Sequence, residues 1–394
     1  MVGKRARIRA SLLGVVATTF VLPVFAQSFP KPLPEEPIPA VAMLPESYPK
    51  NWVIVSDFNF NAIPDGRGVI VDTSSENQPF KGMFQAAQFG NILLSTSKPE
   101  IYTAETYYTR LSRGERTDVI TIWDKASLKP KGEIILPGGK RQQTVTYKNS
   151  FQFTNGEKWA LVSNFTPAQS VTVVDLEGRK VLGDLDLPGC TMVYPTGDRG
   201  FATFCADGTM TSIALDPQGK IASTVTSKPL HDIEHQAMFA TPAMIGRTAW
   251  FVTFHGQLKA FDLSGPVAKE VKGALTVGAA EGGTPEWRPG GWQVIASDAS
   301  GKLYVLMNPS GREGSHKDGG TEVWVVDTVK KARTARIPLQ ALGVSIEVTR
   351  EEEPSLVVAR ADSGIDVYDA VTGKLKRSLG NTVAYNPLTL TAVQ

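Results

Sequence analysis

The chain repeats one short pattern seven times, and this repeat limits its possible folds more than any other feature of the sequence. Each copy is a run of alternating apolar residues that ends in an Asp and is followed by a polar turn. Alternation with a period of two over four or five residues is typical of a half-buried β-strand. The copies occupy residues 68–72, 120–124, 171–175, 212–216, 258–262, 323–327 and 365–369.

The Asp that ends each copy predicts how the strand stops. Its carboxylate can accept hydrogen bonds from backbone amides two residues further on, which closes a tight turn. Successive copies of this Asp lie 41 to 65 residues apart. A unit of that length holds four short strands, and their sheet has two apolar faces that it cannot bury alone. Packing such units around an axis buries both faces, so we expect an all-β, seven-bladed β-propeller over residues 49–394.

The longest spacing, between Asp262 and Asp327, predicts an insertion in one blade. The glycine-rich stretches 278–291 and 308–320 fall inside it, and we expect them to form loops. No convincing amphipathic helix interrupts the pattern elsewhere. Asp-ended strands could also recur by chance in another all-β fold, but seven copies at near-regular spacing favour the propeller.

The first residues predict export. A basic stretch within residues 4–9 precedes an apolar run over residues 10–25, as in a secretory signal peptide. We therefore expect a signal peptide over residues 1–26, cleaved after Ala26, and a periplasmic protein. A membrane anchor is the alternative, but the run is shorter than the roughly 20 residues of a spanning helix. Residues 27–48 hold six prolines and predict an extended arm.

Charge and cysteine content narrow the possible functions. The formal net charge is +2, and cleavage would remove four basic residues, leaving about −2. That balance argues against nucleic-acid binding, which requires a concentrated basic surface. Cys190 and Cys205 are the two cysteines, and in an exported chain we expect them to pair across a local hairpin. Two buried free thiols are the alternative.

One histidine motif resembles a metal site. The run from His231 to His235 reads His-Asp-Ile-Glu-His, which on a helix would place two imidazoles one turn apart beside a general-base carboxylate. Pro229 and Pro242 flank it, and the neighbouring residues read as strands. A polar loop is therefore the favoured interpretation, and a zinc peptidase is the weaker one. With four histidines in the chain, we expect no histidine-rich metal site.

Longer motifs resemble a known family. Residues 113–118, Arg-Gly-Glu-Arg-Thr-Asp, running into 119–124, resemble a signature of the heavy subunits of methylamine and aromatic amine dehydrogenases. Residues 287–292, Trp-Arg-Pro-Gly-Gly-Trp, resemble a second signature, and residues 307–317 are closer to the aromatic amine enzyme. Cys190 and Cys205 stand where the family has its single heavy-chain disulfide. The resemblance extends from about residue 52 to the end.

The resemblance implies a periplasmic heterotetramer of two heavy and two light chains. A small, cysteine-rich light chain carries tryptophan tryptophylquinone and the catalytic base, and oxidises a primary amine to an aldehyde and ammonia. Similarity to the aromatic enzyme favours aralkylamines. Electrons then pass to a blue copper protein of the azurin or amicyanin kind. This chain would carry no catalytic residue, cofactor or metal, its tryptophans would not be quinone precursors, and alone it would be inactive.

The family also implies one residue in the substrate channel. There a Phe soon after a Gly-Met pair reaches the channel. Here the pair is Gly82-Met83, and the equivalent spacing falls on Gln88, with Phe89 one position later. We take Phe89 as the channel residue and Gln88 as its rival, because a one-residue shift in a strand would turn the side chain to the other face. Phe89 could equally belong to a blade core, and a Gln88 wall would alter the amine preference.

A second class of function remains open on the sequence alone. The chain could be a stand-alone periplasmic propeller that acts as a binding scaffold, or as a hydrolase using loop carboxylates around the axis. Fold does not decide between them. A neighbouring reading frame for a small exported protein with a dozen or so cysteines would favour the amine dehydrogenase.

Overall fold

The computed structural model describes residues 42–145, 147–277, 286–381 and 383–394. Within these ranges the regular elements are β-strands and single 3-10 turns, and no helix is long and apolar enough to cross a membrane. The all-β class is therefore confirmed for the described part of the chain. The expected signal peptide (residues 1–26) and most of the expected arm (residues 27–48) lie outside the described residues.

The strands follow one another with short connections. In chain order they are β1 (Trp52–Asp57), β2 (Arg67–Asp72), β3 (Phe80–Gln85), β4 (Asn91–Leu94), β5 (Glu100–Arg110), β6 (Arg113–Asp124), β7 (Pro130–Leu136), β8 (Phe151–Thr154), β9 (Trp159–Asn164), β10 (Ser170–Asp175), β11 (Lys180–Asp186), β12 (Cys190–Pro195), β13 (Gly200–Cys205), β14 (Met210–Leu215), β15 (Ile221–Thr226), β16 (Ala243–Ile245), β17 (Thr248–Val252), β18 (Gln257–Asp262), β19 (Lys269–Thr276), β20 (Glu286–Pro289), β21 (Ile295–Ser297), β22 (Lys302–Gly311), β23 (Gly320–Asp327), β24 (Ala332–Val348), β25 (Ser355–Arg360), β26 (Ile365–Asp369), β27 (Leu375–Ser378) and β28 (Pro387–Ala392). The 3-10 turns are Ile63–Asp65, Pro137–Gly139, Lys148–Ser150 and Ser315–Lys317.

The strands form antiparallel sheets in a propeller-like arrangement. Four sheets are built from consecutive strands, β4 to β7, β8 to β11, β12 to β15 and β16 to β19. A fifth places β28 beside β1, β2 and β3, so that the end of the described chain pairs with its first strand. Ile54 and Thr391 are paired in that sheet. This pairing closes the series of sheets and leaves β1 without an open edge.

The expected seven separate blades are not found as seven sheets. Beside the five four-stranded sheets, the described residues form one sheet of eight strands, β20 to β27. Its strand β24 pairs with β23 along its first half and with β25 along its second half. Gly343 lies at the junction, opposite Gly320 on one side and Arg360 on the other. One continuous strand thus joins two groups of four strands into a single sheet.

The Asp turns are confirmed at all seven positions. Six of these Asp residues end the third strand of a group of four, and Asp216 directly follows such a strand, so each precedes the outer strand. In six copies the amide two residues on donates to the Asp Oδ1 over 2.8–3.1 Å. In the remaining copy Ser127 N, three residues on, donates to Asp124 over 2.8 Å. The carboxylates therefore satisfy amide groups that the reversed chain would leave unpaired.

Apolar side chains pack between neighbouring sheets. One cluster joins Val173 of β10 and Leu161 of β9 to Phe201 of β13 and Ile213 of β14, and all four side chains are fully buried. Clusters of the same kind lie between other neighbouring sheets. Each sheet thus buries both faces against its neighbours, as the repeat predicted, and the hydrophobic effect holds the sheets together.

Cys190 and Cys205 form a disulfide in the structure. They are directly opposite each other on β12 and β13, at the open end of that hairpin. Cys190 also packs against the apolar cluster between this sheet and the preceding one. The bridge therefore fixes two adjacent strands close to a blade interface.

Candidate functional site

Each group of four strands has one edge strand that lies near the edge strands of other groups. These inner-edge strands are β4, β8, β12, β16, β21, the second half of β24, and β28. These strands contact one another between sheets, as in β4 with β8, β8 with β12, β16 with β21, β21 with β24, and β24 with β28. The residues just before them therefore lie on one face, around the point where the sheets converge.

Phe89 and Gln88 lie in a tight turn on this face, just before β4. The amide of Gly90 donates to the carbonyl of Ala86 over 3.1 Å. Gln88 and Phe89 have φ angles of +54° and +57°, a conformation that non-glycine residues rarely adopt. Gln88 is 9 % exposed, so it is the buried member of the pair, while Phe89 is half-buried.

The Phe89 ring is part of an aromatic cluster rather than of a blade core. It meets Phe58 edge-on, with ring centroids 5.9 Å apart, and lies 6.0 Å from Phe60. Phe58 is buried behind the other two rings, whereas Phe60 is 45 % exposed. The cluster thus presents Phe89 and Phe60 at the surface, against a fixed aromatic wall.

A buried arginine holds the backbone of this turn. Arg141 Nη2 donates to the carbonyl of Gln88 over 2.7 Å, and Nη1 donates to the carbonyl of Phe89 over 3.2 Å. Its Nε donates to Thr106 Oγ1 over 3.0 Å. Arg141 is 2 % exposed, and burial lowers its pKa to about 10, against an opposing effect of the Asp118 carboxylate. The guanidinium is therefore still a cation at neutral pH.

A buried carboxylate holds the same turn from the other side. Glu105 Oε1 accepts the amide of Ala87 over 2.9 Å and the hydroxyl of Tyr107 over 3.1 Å. Its Oε2 accepts the hydroxyl of Thr103 over 2.8 Å. Burial raises the pKa of Glu105, and these hydrogen bonds work against that rise. Hydrogen bonds with the buried Arg141 and Glu105 side chains thus hold the backbone of the two candidate channel residues and of Ala87 before them.

The first signature supports Arg141 directly. Asp118 accepts both Nε and Nη2 of Arg116 over 2.9 Å, the hydroxyl of Thr106 over 2.6 Å, and the amide of Arg141 over 3.0 Å. Arg116 Nη2 also donates to the carbonyl of Arg141 over 2.6 Å. Asp118 is 1 % exposed, so this is a buried and fully hydrogen-bonded network. Its effect is to fix the position of Arg141 against the turn.

The glycines of the second signature allow two backbones to approach closely. A Cβ on Gly290 would lie 2.7 Å from the carbonyl oxygen of Gly319. A Cβ on Gly291 would lie 2.5 Å from the carbonyl oxygen of Val344, and Gly291 has a φ of +136°. The amide of Trp292 donates to that same Val344 oxygen over 2.6 Å. No other residue fits here, because the space of a side chain is already filled by backbone.

Trp292, which ends the second signature, stacks on Tyr147. Their ring centroids are 4.5 Å apart and their planes differ by 7°. Tyr147 precedes β8 and Trp292 precedes β21, so the stack joins loops of two different sheets. The carbonyl of Tyr147 also accepts Asn91 Nδ2 over 2.9 Å, two residues beyond Phe89. The stack and the Phe89 turn are therefore parts of one surface.

Charged and polar side chains cross the axis beside this stack. Lys148 Nζ donates to Glu347 Oε2 over 3.1 Å and to the carbonyl of Leu390 over 2.8 Å. Gln293 Nε2 donates to the same Glu347 oxygen over 3.2 Å. Residues next to β8, β21, β24 and β28 are thereby connected at the centre. A hydrogen-bonded network thus lies beside the aromatic stack on this face.

An apolar cavity of about 380 Å³ opens beside the stack. His316 lies flat on Phe254 within it, with centroids 4.0 Å apart and planes at 10°. Burial lowers the pKa of His316, and Lys317 adds to the effect, so both favour the neutral imidazole. The other lining residues are Tyr147, Met238, Phe239, Ala240, Gly291, Trp292, Lys317, Val344 and Leu388. Residues 307–317, which resemble the aromatic amine enzyme, thus contribute to this cavity.

The histidine motif is a loop, as its flanking prolines indicated. Residues 231–235 lie between β15 and β16 and form a turn, with Gln236 N donating to the carbonyl of Asp232 over 2.8 Å. His235 is hydrogen-bonded to the Asp232 carboxylate, whereas His231 packs edge-on against Phe204. Among the described residues, no group of three or more His, Cys, Asp or Glu side chains is arranged to hold a metal ion.

The sequence did not single out Arg141 or Glu105. A charged residue within the apolar alternation of β5 was a usable signal for Glu105, because a charge in a strand core needs buried partners. Arg141 lies in a connection without pattern, and its contacts come from three separate stretches of chain. Only the folded arrangement brings them together.

Comparison with known proteins places the chain in a family. A sequence model of the methylamine dehydrogenase heavy chain matches residues 53–393, which include both signatures and the Phe89 turn. The chain belongs to the methylamine dehydrogenase heavy-chain family. The methylamine dehydrogenase heavy chain of Methylobacillus flagellatus is 29 % identical over 298 residues, covering 74 % of this chain and 73 % of that one. That of Paracoccus versutus is 31 % identical over 284 residues, covering 70 % and 65 %.

Solved structures with low sequence identity share the fold. A putative 6-phosphogluconolactonase from Bacteroides fragilis superposes with a TM-score of 0.57 at 13 % identity, covering 87 % of this chain and 98 % of that one. At this identity the likeness concerns the fold alone. Membership of the heavy-chain family rests on the sequence match, and the described network shows what its signatures do structurally.

Proposed function

We propose that this chain is the heavy subunit of a periplasmic quinoprotein amine dehydrogenase. Its role is to dock a small light chain and to wall part of the substrate channel, while the chemistry takes place on the light chain. One observation carries the proposal. Both family signatures converge on a single face, where one supports the Phe89 turn through Arg141 and the other forms the stack with Tyr147.

The eight-stranded sheet acts in this proposal as two blades, which gives a seven-bladed propeller. The two groups share β24, and each has its own Asp turn, at Asp327 and Asp369. Hydrogen-bond registers shift on either side of Gly343, as expected where a strand bends from one blade into the next. Seven Asp turns then correspond to seven blades.

The catalytic group in this proposal belongs to the partner. The light chain carries tryptophan tryptophylquinone, which takes two electrons from a primary amine and yields an aldehyde and ammonia. Two heavy and two light chains assemble, and a blue copper protein of the azurin or amicyanin kind accepts the electrons. The tryptophans of this chain serve packing instead. Trp324 is buried and pairs with Trp287, and Arg336 lies over both rings at 5.0 and 4.7 Å.

The proposed substrates are aralkylamines, with Phe89 as the channel residue on this chain. Phe89 and Phe60 supply half-exposed aromatic surface, which favours contact with an apolar amine. The cavity beside Trp292 adds aromatic rings and the imidazole of His316 on the same face. Gln88 is the buried neighbour and supports the turn. The relatives named above are methylamine enzymes, so the preference for larger amines is a property to be measured.

The proposed location is the periplasm, after cleavage of residues 1–26. The basic and apolar stretches of that segment support export. The Cys190–Cys205 disulfide is consistent with an oxidising compartment. The proline-rich residues 27–48 would then form an extended arm at the start of the mature chain.

Purification from the native host tests the proposal. A tagged chain isolated from the periplasmic fraction should co-purify with a small cysteine-rich protein in equal molar amount. The mass of the complex in solution should be twice the summed mass of one heavy and one light chain. Intact-mass analysis should place the start of the heavy chain at Gln27. A chain that is recovered alone, from a fraction that still oxidises amines, would contradict the assignment.

A further inference from the structure

We propose that Arg141 is a positioning residue that sets the orientation of Phe89 and thereby the amine preference of the assembled enzyme. The inference rests on the proposed function, in which Phe89 walls the substrate channel. Arg141 itself does not meet the substrate, because it is buried beneath the turn. Its influence would pass through two backbone carbonyl groups.

The two hydrogen bonds from Arg141 fix both peptide groups that flank Phe89. The carbonyl of Gln88 belongs to the peptide group before Phe89, and the carbonyl of Phe89 belongs to the one after it. Holding both groups fixes the φ and ψ angles of Phe89, and with them the direction in which its side chain leaves the backbone. A single hydrogen bond could not do this, since the second peptide group would still rotate.

The turn needs this support because of its backbone conformation. Gln88 and Phe89 are two successive non-glycine residues with positive φ, which a free chain populates rarely. Residues kept in such a conformation persist where surrounding contacts over-determine them, and they concentrate at functional sites. Arg141 and Glu105 supply those contacts from opposite sides of the turn, at Phe89 and at Ala87.

The arginine is also matched to this task by its shape. Its planar guanidinium donates in three directions, to Gln88, Phe89 and Thr106, from a fixed plane. A lysine carries the same charge as a single point and cannot hold two carbonyl groups and a hydroxyl in one plane. Arg141→Lys therefore keeps the positive charge but loses this geometry, so the variant tests the geometry separately from the charge.

The test uses the assembled enzyme, with the variant heavy chain expressed beside its light chain in the native host. The variants are Arg141→Lys, Arg141→Met, Thr106→Val, Phe89→Ala and the double variant Phe89→Ala/Arg141→Met. Arg247→Met is the matched control. Arg247 Nη2 also donates to two carbonyl groups, of Gly197 and Leu263, over 3.0 Å, but Arg247 lies in the turn between β16 and β17 rather than against the Phe89 turn. The readout is the ratio of kcat/KM for 2-phenylethylamine to kcat/KM for methylamine.

We expect Arg141→Met and Arg141→Lys to change this ratio by about tenfold, as for a small misplacement of a substrate-positioning group. Thr106→Val, which removes one support of the guanidinium, should shift the ratio in the same direction by less. In the Phe89→Ala background Arg141→Met should change the ratio by less than a further factor of about two, because the aromatic ring that Arg141 positions is already absent. Arg247→Met should leave the ratio unchanged.

Three results would overturn the inference, and they are distinguishable. If Phe89→Ala shifts the ratio but Arg141→Lys and Thr106→Val do not, Phe89 walls the channel and Arg141 does not position it. If the effects of Phe89→Ala and Arg141→Met simply multiply, Arg141 acts by general stability. If Phe89→Ala itself leaves the ratio unchanged, the channel role of Phe89 in the proposed function fails, and this inference fails with it.

Discussion

Tyr147 and Trp292 lie ring against ring, with centroids 4.5 Å apart, although 145 positions of sequence separate them. One ring comes from the loop before β8 and the other from the last residue of the Trp-Arg-Pro-Gly-Gly-Trp signature. The stack lies next to the Lys148–Glu347 ion pair, since Lys148 directly follows Tyr147. A family signature here therefore connects distant parts of the ring of sheets.

Loss of the stack should loosen this face. Trp292→Ala should lower the free energy of unfolding by about 1–3 kcal/mol, since an aromatic pair and its buried area are both lost. Tyr147→Phe keeps the ring and should change it by less than about 0.5 kcal/mol. Chemical unfolding followed by circular dichroism checks both. Equal losses for the two variants would show that the stacked rings are not the source of the stability.

Gly291 should tolerate no side chain. Gly291→Ala would place a Cβ 2.5 Å from the Val344 oxygen and force a φ of +136° on an L-residue, so we expect a loss of about 2–3 kcal/mol. Gly183→Ala is the matched control, because a Cβ there meets nothing within 4 Å. Thermal unfolding of the two variants gives the comparison. Similar melting temperatures for both would contradict the close approach of the two backbones.

Stability should fall in acid partly through Glu157. Burial alone would raise the pKa of this carboxyl, but hydrogen bonds from Ser95, Thr96 and Ser97 outweigh it and lower the pKa to about 2. A lowered pKa gives stability that is present above the ordinary pKa and is lost as the pH falls towards 2. Glu157→Gln should therefore cost about 1–2 kcal/mol at pH 7, allowing for solvent screening, and much less at pH 2.

The free energies of unfolding of Glu157→Gln and of the natural protein, measured across pH 2–7, give the difference in stability at each pH. Glu353→Gln, at an exposed carboxylate, serves as the control for the loss of one negative charge. The Glu157 carboxylate joins the β8–β9 turn to the segment after β4. If the difference in the free energy of unfolding between Glu157→Gln and the natural protein is the same at every pH, this carboxylate is not the acid-sensitive contact.

The disulfide should matter for the stability of the β12–β13 hairpin and its neighbours. Cys190 and Cys205 are 15 positions apart, and a loop of that length predicts a loss of about 3 kcal/mol in Cys190→Ser/Cys205→Ser by the chain-entropy estimate. Reductant should lower the melting temperature of the natural protein and leave that of the double variant unchanged. A natural protein insensitive to reductant under unfolding conditions would argue against the bridge.

The repeat was readable from sequence because each copy is local. Strand alternation and the Asp that follows it, as in Val173 and Asp175, are set by residues a few positions apart. The continuity of the long strand β24 could not be predicted from the sequence in this way. Residues 332–348 contain no Asp or Asn to reverse the chain, and the sheet accommodates Pro338 and Gly343 with register shifts.

The candidate site was readable only in part. The residues of the signatures and of the Gln88–Phe89 alternative lie together on one face in the structure, but the sequence could not say which of the two side chains is half-exposed. That depends on two successive positive φ angles and on the reach of Arg141 from a connection more than 50 positions away. Long-range hydrogen bonds of this kind leave no periodic trace in a single sequence.

The most direct test of the account is the visible absorption spectrum before and after addition of an amine, recorded on the purified complex and on the heavy chain separated from it. The account predicts that a quinone band, and its change on addition of amine, belong to the complex and to the light chain. The separated heavy chain should show protein absorbance alone and produce no aldehyde. Amine oxidation by the separated heavy chain would contradict the central claim.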